Sequence, residues 1–314
     1  MLSRFFPDNF VKQQRQQIDM TPLARKEAIA FYLCILPWLI GFFVFLAWPM
    51  IRSMYLAFTN YRVLNEPRFT GLENVERLIN DELFWQSLRV TVIYVLGSVP
   101  VGTAIALGVA MLLSQKLVGV NIWRTIFFLP SIVSGVAIAV MWSYVFNPDF
   151  GLLNIILSWF GISGPGWITS STWALPAIII MSWWSIGGQM IIYLAGLKGI
   201  PKVLYEAALV DGAGAWARFR YVTVPMLSPT IFFNLVVGLI GAFQAFDAAY
   251  VLTNGGPNNA TLTYMLYLYR NAFQFVNMGY ASLLAWVLFL IILVFTLLVM
   301  RSARYWVYYE TEAR

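Results

Sequence analysis

Six runs of roughly 20 or more mostly apolar residues divide this chain: Ile29 to Phe58, Leu88 to Leu113, Ile122 to Phe146, Trp173 to Leu197, Met226 to Val251 and Tyr280 to Met300. Runs of that length match the hydrocarbon thickness of a bilayer, where the backbone must satisfy its own hydrogen bonds. Each is therefore expected to be a membrane-crossing helix. Composition agrees, because 60% of the 314 residues are hydrophobic and only 11% are charged, against about 25% charged in a soluble domain. The expected fold class is all-α: a polytopic membrane protein with six transmembrane helices. Pro37 and Pro49 lie within the first run and allow a kink there. The expected division is a tail at 1–27, a transmembrane domain at 28–304 and a second tail at 305–314. No small-residue cleavage pattern follows the first run, so a cleaved signal peptide is not expected.

Lys and Arg orient the spans, since they concentrate on the cytoplasmic side. Fourteen of the 20 fall on the side of both termini, at Arg4, Lys12, Arg15, Arg25, Lys26, Lys116, Arg124, Lys198, Lys202, Arg218, Arg220, Arg301, Arg304 and Arg314. The other six are Arg52, Arg62, Arg68, Arg77, Arg89 and Arg270. Both termini are thus expected inside. The net charge of +6 is accounted for as a topology signal, and a nucleic-acid partner is not expected.

Missing residue types exclude whole chemistries. There is no histidine, which removes His metal sites, Ser-His and Cys-His pairs and imidazole switches. The single cysteine, Cys34, sits in an apolar run and is expected to be a small buried hydrophobe. No metal site is expected.

The connections carry weaker signals. Thr59 to Ser87 is locally acidic at Glu66, Glu73, Glu76, Asp81 and Glu82, for which a solvated face is the default reading. Asn147 to Thr172 has turn chemistry, and its Trp159 and Trp167 are expected as anchors at headgroup level. Asn9 to Ile18 is either a short helix on the inner leaflet or a loose tail. Gly212 to Ala217 spells G-x-G-x-x-A, but no strand precedes it, so it is not a dinucleotide site. Asn259-Ala260-Thr261 spells a sequon and carries no weight by itself.

The most informative stretch follows the fourth run, from Gly199-Ile200-Pro201 to Val224-Pro225. Pro201 suits a helix start, Lys202 to Val210 are mostly good helix formers, and Gly212 is a natural stop. The segment reads as a short helix outside the membrane. Small residues at 207, 208, 212 and 214 suit docking into a groove, although an ordinary loop helix would look the same.

Those residues resemble the membrane-spanning subunits of binding-protein-dependent ABC importers. The family hallmark is E-A-A, three residues, G, nine residues, I-x-L-P. Here stand Glu206-Ala207-Ala208, Gly212 and Val222-Thr223-Val224-Pro225, departing only at two aliphatic positions. Leu252-Thr253-Asn254-Gly255-Gly256-Pro257 with Thr261, and Phe273 followed by Gly279-Tyr280-Ala281, resemble the carbohydrate-type branch. The resemblance runs from about Leu36 to the end. It implies the type I importer fold, with a coupling helix at about 201–212 and Glu206, Ala207, Ala208, Asp211, Gly212 and Pro225 engaging an ATPase. It implies a second homologous permease subunit, two ATP-binding cassette subunits and an extracytoplasmic solute-binding protein. It also implies a bacterial or archaeal inner membrane. This chain has no G-x-x-x-x-G-K-[ST], so ATP and Mg are expected in the partners, with no cofactor in this chain and no enzymatic activity of its own.

Polar groups inside spans are costly and ask for a reason. Met181, Trp184, Ser185, Gly188 and Gln189 fall on one stripe at helical spacing, with Trp183 pointing elsewhere. A Trp beside hydroxyl and amide groups suits a sugar, whose C–H face stacks on rings while its hydroxyls need partners. In the fifth run Gln244 and Asp247 are three apart and are expected on one helix face. In the family these two spans line the translocation pathway, and the match to this chain is by position only. The leading substrate class is an oligosaccharide, ahead of a monosaccharide or glycerophosphodiester. The alternative is an ATP-independent secondary transporter or channel, for which inverted repeats or a charge relay would be expected. An intramembrane enzyme is disfavoured, with no H-E-x-x-H or G-x-S-x-G present.

Overall fold

A computed structural model describes residues 22–115 and 118–308. The candidate helix at 9–18 and Arg4, Lys12, Arg15, Lys116 and Arg314 lie outside the described residues. Among the described residues the secondary structure is helical, apart from one isolated antiparallel bridge between Thr59 and Phe69.

Residues 22–55 form one unit. Helix α1, Pro22–Gly41, passes through a wide turn at Phe42–Ala47 into α2, Trp48–Leu56. Trp48 N–H bonds to Phe43 O, one residue further back than in an α-turn. Pro49 comes next, and its ring would press on the carbonyl four residues earlier, so widening the turn relieves that contact. None of these helical residues is buried. Cys34, expected inside a core, is exposed on α1, because the whole helix presents its apolar side chains outward.

In the second unit a connection carries α3, Glu73–Ile79, and leads into α4, Glu82–Ser114. At about 1.5 Å per residue α4 is about 50 Å long, more than a bilayer core. Asp81 caps it, accepting from Leu83 and Phe84 N–H at 3.0 and 3.3 Å. The acidic stretch is therefore not wholly a solvated face. Next, α5 (Val120–Phe128) runs through a tight turn at Leu129–Ser131 towards α6 (Gly135–Val145), and the two pieces are bent by 99°. The third run was expected to be one helix. Pro130 and Gly135 break it, one by removing a donor and the other by its low helix propensity.

Helix α7, Leu152–Trp159, occupies the following loop. Trp159 is exposed, whereas Trp167 turns inward: its indole donates to Asn154 Oδ1 at 2.8 Å and its ring packs on Phe146 and Trp173. Helix α8, Ala174–Ser182, bends by 44° through Trp183–Ser185 into α9, Gly187–Gly199. Gly187 lets α9 meet α5 closely, since a Cβ there would stand 2.4 Å from Phe127 O.

Helix α10, Lys202–Val210, and the short α11, Ala215–Arg218, lead through a wide turn at Phe219–Thr223 into α12, Val224–Phe243. Once more the wide turn directly precedes an X-Pro pair, Val224-Pro225. Helix α12 stops at Phe243, short of the expected Val251. After a second wide turn at Ala249–Thr253, α13 (Tyr264–Tyr269) and α14 (Met278–Trp306) complete the unit. Among the described residues four helices are long and apolar enough to cross a membrane, and counting each bent pair as one crossing gives up to six.

The largest core forms where α4, α8, α12, α13 and α14 meet, around Tyr94, Ile178, Phe243, Tyr264 and Leu284. Lipid is as apolar as leucine, so close packing and internal hydrogen bonds hold such a core more than water exclusion does. Tyr264 illustrates this: its N–H bonds to Thr91 Oγ1 and its phenol to Leu284 O, both at 2.8 Å. The Leu252–Pro257 segment is folded on itself. Thr253 and Thr261 hydroxyls meet at 2.6 Å, and Arg270 donates to Asn254 O.

Candidate functional site

Two places gather the residues singled out from sequence. The first is α10. Its end forms a Schellman closure, in which Gly212 N–H bonds to Leu209 O and Ala213 N–H to Ala208 O. Gly212 takes φ +76°, the left-handed conformation this closure needs, and a Cβ there would meet nothing within 4 Å. The glycine thus serves the turn and leaves its outer side open. Pro201 stands just before the helix as its N-cap instead of inside its first turn. No residue of α10 is buried, and Glu206, Ala207, Asp211 and Gly212 are exposed, with Ala208 half-buried. Val203 and Val210 are also exposed, at 64% and 88%. Tyr205 ties the helix back to the bundle, its phenol meeting Thr223 Oγ1 at 3.0 Å. Pro225 lies beyond this contact, at the start of α12, and lines a hollow with Leu204 and Tyr221. A short helix is therefore tied by Tyr205 beside the wide turn that opens α12, with an acidic and small-residue surface turned outward.

The second place is a cavity of about 450 Å³ between α4, α6, the α8–α9 bend and the break after α12. Met181, Ser185, Gln189, Gln244 and Asp247 line it together. Trp184 and Gly188 do not: Trp184 is 40% exposed, edge-on to Trp142 at 6.0 Å. Trp183 packs inward and donates its indole N–H to Gly97 O at 3.2 Å. The expected common helix face of Gln244 and Asp247 is not formed. Gln244 is the C-cap of α12, and the chain leaves the helix through Ala245 and Phe246 before Asp247. The two still reach the same cavity because the break folds over it.

Sequence spacing missed Tyr94, Ser98, Ser182 and Gly135, which also line it. Gly135 has the closest approach, since a Cβ on it would fall 2.4 Å from Asp247 Oδ2. Asp247 is the only charged residue of the lining. Ser98 Oγ and Gln189 Oε1 are buried without a protein partner. Buried polar atoms are normally satisfied, so a wall with hydroxyl, amide and carboxylate groups to spare suits a hydroxyl-rich solute. Phe246 adds an aromatic surface there.

Known proteins similar to this chain give its family. The family model described as binding-protein-dependent transport system inner membrane component matches residues 98–307. A probable ABC transporter permease protein YesP of Bacillus subtilis (strain 168) is 44% identical over 293 residues, covering 92% of this chain and 94% of that protein. A lactose transport system permease protein LacF of Rhizobium radiobacter is 39% identical, covering 83% of this chain and 89% of its own length. A trehalose/maltose transport system permease protein MalF of Thermococcus litoralis (strain ATCC 51850 / DSM 5473 / JCM 8560 / NS-C) is 34% identical, with coverages of 90% and 96%. Among solved structures, a chain of a bacterial ABC transporter involved in the import of the acidic polysaccharide alginate is similar, with TM-score 0.78 and 27% identity. The match covers 89% of this chain and 96% of that one.

Proposed function

This chain belongs to the family of binding-protein-dependent transport system inner membrane components, and from that premise we propose that it carries a carbohydrate, with an oligosaccharide as the leading class, across the membrane by using force received through α10. The carrying observation is the outward-facing α10, anchored through Tyr205 beside the wide turn that starts α12. Relatives whose names give lactose or trehalose/maltose transport support the substrate class.

The chain pairs with a second homologous permease subunit, and two ATP-binding cassette subunits supply the energy, holding ATP and Mg themselves. A solute-binding protein delivers the carbohydrate on the opposite face, as in the alginate importer solved with its periplasmic protein. Both chain ends lie in the cytoplasm. Glu206 meets a basic or polar group in a cleft of the ATPase, and the open side of Gly212 permits close approach. When the ATPases close, α10 moves and carries the base of α12 with it, so that the 450 Å³ cavity is exposed alternately to the two sides. A loaded binding protein favours the outward state only by binding it more tightly. Asp247, Gln189, Ser185 and Gln244 offer hydrogen bonds to sugar hydroxyls within the cavity, with Met181 as apolar wall; Trp184 and Gly188 act at its margin.

The test is reconstituted uptake of labelled oligosaccharides with the co-purified subunits, with and without ATP. Uptake dependent on ATP and on the ATPase subunits is expected. Uptake that continues with no ATPase present overturns the reading in favour of a secondary transporter.

A further inference from the structure

A second and larger cavity, of about 570 Å³, lies behind α10 where the ends of α4 and α9 meet α11. Its charged lining residues are Lys198, Lys202 and Arg218, and among the described residues no carboxylate lines it. Arg218 Nε is buried with no hydrogen-bond partner. A guanidinium N–H kept from both water and an acceptor is costly, and it marks a place where an acceptor is missing. Gln115 and Tyr205 add polar groups at the rim, while Met111 and Leu197 give the cavity an apolar wall continuous with the spans.

We propose that this cavity binds a phosphate-bearing anion, the phosphodiester headgroup of an acidic phospholipid being the source its position favours. Three cations with no acid among the described lining residues select a charge of −1 or more, and a guanidinium beside two ammonium groups is suited to phosphate oxygens. The cavity sits at the ends of α4 and α9, on the side of the chain that the Lys and Arg excess assigns to the cytoplasm, and its apolar wall suits the glycerol and upper acyl carbons of a lipid. Basic pockets between spans recognise headgroups by this chemistry. A bound headgroup touches Lys202 and lies next to the Tyr205–Thr223 contact, so it stiffens that attachment of α10. This site is separate from the transport cavity, and its occupancy does not depend on what the protein carries.

The test uses the full chain, purified from its membrane and exchanged into nanodiscs of phosphatidylcholine with or without phosphatidylglycerol, then released for native mass spectrometry. Wild type is expected to retain one phosphatidylglycerol. K198Q, K202Q and R218Q should each weaken retention roughly fivefold, and the triple variant about a hundredfold. K198R/K202R should retain the lipid, which separates charge from folding, and thermal unfolding in phosphatidylcholine alone serves as the folding control. A parallel arm titrates inorganic phosphate in detergent by 31P line broadening. Broadening that vanishes in the triple variant, without lipid retention, supports the site with a soluble phosphate source. Lipid retained equally by wild type and the triple variant, or no response to either probe, overturns the proposal.

Discussion

Tyr280 donates its phenol hydrogen to the Asp81 carboxylate at 2.6 Å, across 199 positions of sequence. Tyr267 donates to the same oxygen, while the other carboxylate oxygen caps α4. The Arg77 guanidinium lies 4.1 Å over the Tyr280 ring. One acid therefore fastens the start of α4, the short helix α13 and the start of α14.

Removing that acid should loosen three elements at once. Asp81→Ala deletes an N-cap worth about 1 kcal/mol and leaves two phenols without their acceptor, at about 1–3 kcal/mol. A total near 2–4 kcal/mol is expected, read as a lowered thermal midpoint in detergent, with Asp81→Asn intermediate. A variant Asp81→Ala that melts like wild type would disprove the clamp.

The same carboxylate gives a pH signature. Partial burial raises its pKa, but the hydrogen bonds from Tyr267, Tyr280 and the α4 amides outweigh this and hold it below the ordinary 3.8. A depressed carboxylate stabilises the fold above its unfolded pKa, and that contribution is lost as pH falls through the folded value. The stability difference between wild type and Asp81→Asn should stay level from pH 7 to about 5 and shrink below 3.8. Tyr267 is pushed up to about 12 by burial and by donating to Asp81, so its phenol remains a donor throughout. A difference that grows towards acid would contradict the assignment.

The exposed helix makes a separate prediction. Glu206→Lys changes a fully outward side chain, so stability should stay within about 0.5 kcal/mol. Association with the ATPase subunits should weaken about 30-fold or more if Glu206 is paired at a desolvated contact, measured by co-purification and uptake. Unchanged assembly would remove the role given to this residue.

Gly212→Val tests the closure of the same helix. At φ +76° a β-branched side chain costs about 1–2 kcal/mol, so coupling should fall even though there is room for the atoms. Gly214, at φ −65°, should tolerate alanine. Equal effects at both positions would show that size at the contact, and not backbone conformation, governs.

How far this architecture was legible follows from what a sequence period encodes. Apolar length located the spans, and Glu206 to Gly212 announced a helix whose closure the coordinates draw in detail. Burial of individual positions was not legible, since Cys34 and Trp167 sit in apolar or aromatic surroundings whichever way they face. Breaks were underestimated: Pro130 and Gly135 were visible, yet only three-dimensional packing turns them into a 99° bend. The cavity suffered most. Helical spacing paired Gln244 with Asp247 on a helix that ends at Phe243, and a one-dimensional pattern has no means of finding Gly135, which meets Asp247 from 112 positions away in the chain.

That last contact supplies a test of the cavity itself. Alanine at 135 would place its Cβ 2.4 Å from Asp247 Oδ2, so the carboxylate must leave its position. Alanine also favours the first turn of α6 by up to about 1 kcal/mol over glycine, so the fold should be no less stable. Uptake by Gly135→Ala should nevertheless fall roughly tenfold, the scale of one lost hydrogen-bonded contact to a charged group. Asp247→Ala should do the same with the fold intact. Because both substitutions act through one carboxylate, their combination should be non-additive, with Gly135→Ala adding almost nothing once Asp247 is gone. Additive losses in the double variant would mean that Gly135 acts through the α6 backbone, and that Asp247 is not the group whose placement it protects.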